Sequence, residues 1–166
     1  MTSPRGALIA VCGIGAGART ADVSRLLAAE LTRRSPRGAV LLTAAHGPAA
    51  SSSLEPALHR HPIVVADVGA LLECGEVISI AAVAICTFRI DADLVEVAAR
   101  LHRAAMSAHR TVAVATAVAD SDRDDRRVAA ALPRSVRALT LLPSACDAAP
   151  PTEPTPTITA LVGALA

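Results

Sequence analysis

At 166 residues with a net charge of +1, the chain has the length of one domain and no charge excess to hold nucleic acid or an anionic membrane. Hydrophobic residues make up 52% of it and aromatic residues 1%, so Ala, Val, Leu and Ile must build the core, and base stacking on rings is all but excluded. Lysine, asparagine and glutamine are absent while alanine, arginine and proline abound, as in a GC-rich coding sequence.

The chain alternates apolar runs with helical patterns. Residues 7–12 predict a first strand, and 20–34 a helix with Val23, Leu26, Leu27, Glu30 and Leu31 on one face. Arg33 and Arg34 suit the dipole at its last turn, and residues 35–38 end it. A second strand is expected at 39–43, a Gly, Pro and Ser-rich loop at 46–53, and a third strand at 63–66 closed by Asp67. The continuous apolar run 77–87 predicts a fourth strand, covered on both faces.

Asp91 or Asp93 can then cap a helix running to about residue 109, with Leu94, Val97, Ala98, Leu101, Ala105 and Met106 on one side. A fifth strand is expected at 111–118, a helix opened by the acidic run 120–125, and a sixth strand at 136–142. This succession implies βαβ units: a three-layer α/β/α domain over residues 1–147, with a mostly parallel sheet of about six strands. Residues 148–166 read as a Pro-rich linker and a short apolar segment, either a docking helix or a frayed end. The most apolar stretch, 77–86, is far short of the ~20 residues that span a bilayer, and the first residues lack the pattern of a signal peptide. A cytoplasmic location is the expectation.

Between the first strand and first helix lies Gly-Ile-Gly-Ala-Gly-Ala-Arg-Thr, residues 13–20. Glycines at such a place let backbone N–H groups and a helix N-terminus close around a phosphate, where an inward Cβ would block it. Gly13, Gly15 and Gly17 supply that freedom, Arg19 offers a cation, and Thr20 offers a hydroxyl for Mg²⁺.

On these residues the chain resembles the MinD/ParA family of deviant-Walker P-loop ATPases, whose pattern is Gly-Lys-Gly-Gly-x-Gly-Lys-Thr. Residues 64–67, Val-Val-Ala-Asp, are similar to the family's Walker B strand, and 40–46 fall where the family has a strand ending in Asp-x-Asp. The resemblance implies ATP or ADP as cofactor, held by Gly13, Gly15, Gly17, Arg19, Thr20 and Asp67, with Thr20 and Asp67 ordering Mg²⁺.

Departures from the pattern are systematic. The signature lysine, which in the family reaches a partner's nucleotide, is Ile14; the Walker lysine is Arg19; the water-activating aspartate is replaced by Ala44, with His46 nearby. Phosphoryl transfer depends on positioning and on offsetting charge at the γ-phosphate, so hydrolysis is expected to be very slow or absent, and no residue is assigned as catalytic. The expected function is a pseudo-ATPase serving as a regulatory or partner subunit in partitioning, positioning or secretion. Its expected partner is a protein; a homodimer, if formed, is not of the ATP-sandwich type.

Two other readings fit parts of the chain. Arg19 in place of lysine leaves room for a weak ATPase. Gly13-x-Gly15-x-x-Ala18 is also a dinucleotide fingerprint, pointing to an NAD(P)-binding Rossmann-type enzyme, although no acid follows the second strand at 44–46. His46, His59 and His61 read as surface histidines rather than a zinc set, and Asp120, Asp122, Asp124 and Asp125 as a helix start. Ser51, Ser52 and Ser53 lie in the expected loop, Ser53 as a potential cap. The four cysteines lack metal-type spacing and are expected to be reduced and mostly buried.

Overall fold

The computed structural model describes residues 6–16, 18–43, 48–71, 75–116, 128, 130–132, 136–141 and 156–165. Six strands form one sheet: β1 (Ala7–Ile14), β2 (Val40–Leu42), β3 (Ile63–Ala70), β4 (Val83–Arg89), β5 (Thr111–Thr116) and β6 (Arg137–Leu141). Their order is β2-β3-β1-β4-β5-β6, and every pairing is parallel. Parallel neighbours need long crossovers, and helices provide them: α1 (Thr20–Arg34), α2 (Pro48–Arg60), α3 (Gly75–Ile80) and α4 (Leu94–Ser107), with α5 (Pro156–Leu165) closing the described chain.

Burial on both faces explains the unbroken apolar strands. On one face Ile9 and Val11 of β1, Val65 of β3, Ile85 of β4 and Val114 of β5 pack with Val23, Leu27 and Leu31 of α1 and with Ile158, Leu161 and Val162 of α5. On the other, Leu8, Cys12, Ile14, Ala66, Cys86 and Phe88 pack with α2, α3 and α4. The step from β1 to β2 runs towards one edge over the α1 face. The next three steps run the other way over the opposite face, so these four crossovers share one hand, as βαβ units require.

Several expectations change. Residues 77–87 are not one strand: Gly75–Ile80 is α3 and the strand begins at Val83. An apolar run has no period to separate helix from strand, and parallel β3 and β4 leave no alternative to a crossover between them. The expected loop at 46–53 is largely helix, because α2 spans Pro48–Arg60 and carries Ser51, Ser52 and Ser53 within it. Proline suits the first helical position, and burial of Leu54 and Leu58 outweighs the interior Pro56. β1 continues through Gly13 and Ile14, and β3 continues three residues past Asp67.

In α4 the cap is Asp93, whose Oδ1 accepts from Val95 N at 2.9 Å, while Asp91 pairs with Arg89. The buried face is Val97, Leu101 and Ala104; Met106 points outward. The apolar segment beyond the Pro-rich stretch is α5, docked on α1 through Ile158, Leu161 and Val162. The acidic start at 120–125 of the next expected helix and the stretch 148–155 lie outside the described residues, as do Cys74 and Cys146, while Val128, Ala130 and Ala131 of that expected helix are helical. Cys12 and Cys86 form no disulfide and are fully buried, register partners across β1 and β4 with sulfurs 3.4 Å apart.

Candidate functional site

The sheet has a reversal at β1. Its following helix, α1, leaves over one face, whereas those after its neighbours β3 and β4 leave over the other. In open α/β sheets such a point leaves a crevice outside the carboxyl ends of the strands, and ligands bind there. Gly15, Ala16, Ala18 and Arg19 stand at that crevice.

Gly13 belongs to the strand, paired with Ala70 on one side and Thr87 on the other. A Cβ added to it would lie 3.1 Å from both the Ala18 Cβ and the Thr20 Cγ2, so the loop folds back over Gly13 and a side chain there would have to push these two aside. Ala18 is buried there, and Thr20, half-buried, opens α1. Gly15 has φ +77° with open space around it, a backbone requirement rather than a packing one. Gly17 lies outside the described residues.

Arg19 is the N-cap residue of α1, in the left-handed region at φ 56°, ψ 38°, and makes no side-chain cap bond. Its guanidinium turns to the first turn of its own helix. Nε donates to Asp22 Oδ2 at 2.8 Å, and a terminal nitrogen lies 2.7 Å from the same oxygen. Arg25 approaches the other Asp22 oxygen at 3.4 Å. Sequence reasoning passed over Asp22, although its i+3 spacing from Arg19 was a signal for this pair. An acid in the first turn also meets the positive end of the helix dipole, the position an anion would otherwise take.

Ile14, at the signature-lysine position, is 2% exposed and points into the core on the α2–α4 face. Nothing at that position reaches outward.

Asp67 is 9% exposed, and its Oδ1 accepts from Gly69 N at 3.3 Å. Strand alternation places it on the α1 face, the face on which Thr20 covers Gly13. The two residues assigned to Mg²⁺ are therefore on one side of adjacent strands. They differ in level, because Asp67 pairs with Val11 within the sheet, and a bulge at Val68 then shifts the register so that Cys12 pairs with Gly69. At the neighbouring lip of β4, Arg89 makes a two-pronged pair with Asp91 at 2.9 and 2.7 Å.

The described residues do not fit a triphosphate with Mg²⁺ held in the family manner. Ala18 and Thr20 pack against Gly13, the loop cation is paired with Asp22, and Asp67 accepts from Gly69 N below the strand end. Ala44 and His46 lie outside the described residues. His59 is exposed at the end of α2, 4.0 Å from Glu55, and no metal-type cluster of three His, Cys, Asp or Glu occurs among the described residues. No helix among them is long and apolar enough to cross a membrane.

Compared with known proteins, the chain matches no family model, and no curated protein matches it significantly.

Proposed function

We propose that the chain is a degenerate MinD/ParA-like P-loop protein, a pseudo-ATPase that works as a regulatory or partner subunit. The observation that carries the reading is the state of Arg19. It occupies the place of the Walker lysine, yet it is held in a left-handed cap and spent on Asp22 of its own helix. A γ-phosphate needs a cation free to offset its developing charge. Support for the ancestry comes from the glycine loop at the sheet reversal and from Thr20, at the start of α1, and Asp67, in β3, on the same side of the sheet. In this reading the loop serves the fold, with Gly13 admitting the return of Ala18 and Thr20, and the protein acts through contacts with another protein.

The test combines calorimetry with ATP and Mg²⁺ and a phosphate-release assay on the full chain. Weak or absent binding and no release above background are expected. Robust turnover that Thr20→Ala or Asp67→Ala abolishes would overturn the proposal.

A further inference from the structure

The inner face of α4 rests on the sheet through Val97, Leu101 and Ala104. Directly opposite, at steps of four, three and four residues, run Val95, Ala99, His102 and Met106. Val95 is 80% exposed and Met106 78%, two of the three large apolar side chains that the described residues leave in solvent. Isolated exposed apolar side chains are ordinary, but two at opposite ends of one helical row are a seam without a second helix.

We propose that α4 is a homodimer seam on which α4 of a second copy of this chain packs antiparallel about a twofold axis. The flanks of the row fix both partner and direction. One flank carries Glu96 and, seven residues on, Arg103; the other carries Ala98 and Ala105. A twofold axis perpendicular to the helices keeps the charged flank on the same side and reverses its direction. Glu96 then faces Arg103 of the partner subunit, and the pairing occurs twice. Parallel packing would set the charged flank against the two alanines, so that neither Glu96 nor Arg103 gains a complement across the seam. Val95 opposes Met106 at each end of the seam, and the small Ala99 opposes His102 at its centre, so the axes can approach closely. Glu96 also holds Arg100 of its own helix on the same flank, which orients the carboxylate. The seam is self-complementary in shape and charge. It lies on the layer opposite α1 and requires nothing from the loop at 15–19.

Two 14-residue helices bury less than the ~1,200 Å² of a standard interface, so the dimer is weak and concentration-dependent. Sedimentation of the full chain up to about 1 mM should show a reversible monomer–dimer equilibrium, unaffected by ATP. Val95→Asp and Met106→Asp should each raise the dissociation constant at least about tenfold, with unchanged circular dichroism because both side chains are in solvent. Glu96→Arg and Arg103→Glu should each be monomeric alone, since each creates like-charge pairs, and should associate when mixed in equal amounts. A wild-type chain that stays monomeric over the whole range overturns the proposal. So does a dimer indifferent to Met106→Asp, or a charge-variant mixture that associates no better than its components.

Discussion

Arg19 and Asp22 form an ion pair in which one carboxylate oxygen lies 2.8 Å from Nε and 2.7 Å from a terminal nitrogen. The pair joins the N-cap of α1 to its own first turn and removes both the loop's cation and the helix's anion-receptive end. Asp22→Asn releases the guanidinium and exposes the dipole. Half-exposed pairs of this kind are worth about 0.2–1 kcal/mol, so affinity for ADP or inorganic phosphate should rise by up to about fivefold. Titration calorimetry of wild type and variant side by side measures it; equal affinities would mean that Asp22 does not restrain the cation.

Gly13 and Gly15 should respond differently to alanine. At Gly13 the new methyl meets Ala18 and Thr20 at 3.1 Å, so the loop must lift, at an expected cost of about 1–3 kcal/mol. At Gly15 nothing is within reach, and only the positive φ resists, at about 1–2 kcal/mol. Urea titration gives both costs, and amide hydrogen exchange separates them: Gly13→Ala should speed exchange at residues 18–20, while Gly15→Ala should leave it near the wild-type rate.

Much of this organisation was legible in the sequence. Uniformly apolar runs such as 111–116 announced parallel strands, the loop was recognisable from its glycines, and Glu30 kept phase with the buried face of α1. What stayed hidden was whatever only tertiary structure decides. Val77 and Val83 look alike in an apolar run, and only the parallel pairing of β1 with β3 and β4 forces a helix between them. Glycine, proline and serine in 46–53 spoke for a loop, but Leu54 and Leu58 just beyond them are buried in the core and hold the segment as helix. Met106 was placed on the buried side of α4, where the 3.6-residue period gives that role to Ala104. At the candidate site the residue types could be read, but the left-handed cap at Arg19 and the depth of Asp67 below the lip could not.

Glu30 gives the fold an acid sensitivity. The two-pronged hydrogen bond from Arg33, at 2.8 Å on each side, is the main cause that holds its carboxyl down at about 2, and Arg34 adds to it at 2.6 Å. A folded-state value below the ordinary 4.5 means that the stabilisation is fully present above about pH 4.5. It is lost as pH falls towards 2, when the folded carboxyl also takes a proton. Urea midpoints measured from pH 6 to pH 2 should fall more steeply in wild type than in Glu30→Gln; parallel curves would refute the assignment.

Leu161 is wholly buried between α5 and the α1 face. Leu161→Ala should cost about 2–5 kcal/mol, the range for a cavity in a packed core. Cooperative denaturation reads this loss. A cost below about 1 kcal/mol, the size of a surface substitution, would show that α5 is not part of the core.

The docking of α5 also sets an order of events during synthesis. Strands β1 and β3 and helix α1 emerge from the ribosome early, and the α2–α4 face can close once Val128 and Val136 have followed β5. The α1 face cannot. Until residues 156–165 have been made, the groove that receives Ile158, Leu161 and Val162 stays open to water, along with the side of the core that holds Val23 and Leu27. The nascent chain therefore carries a half-covered sheet until α5 has been made, and the docking of α5 closes that face.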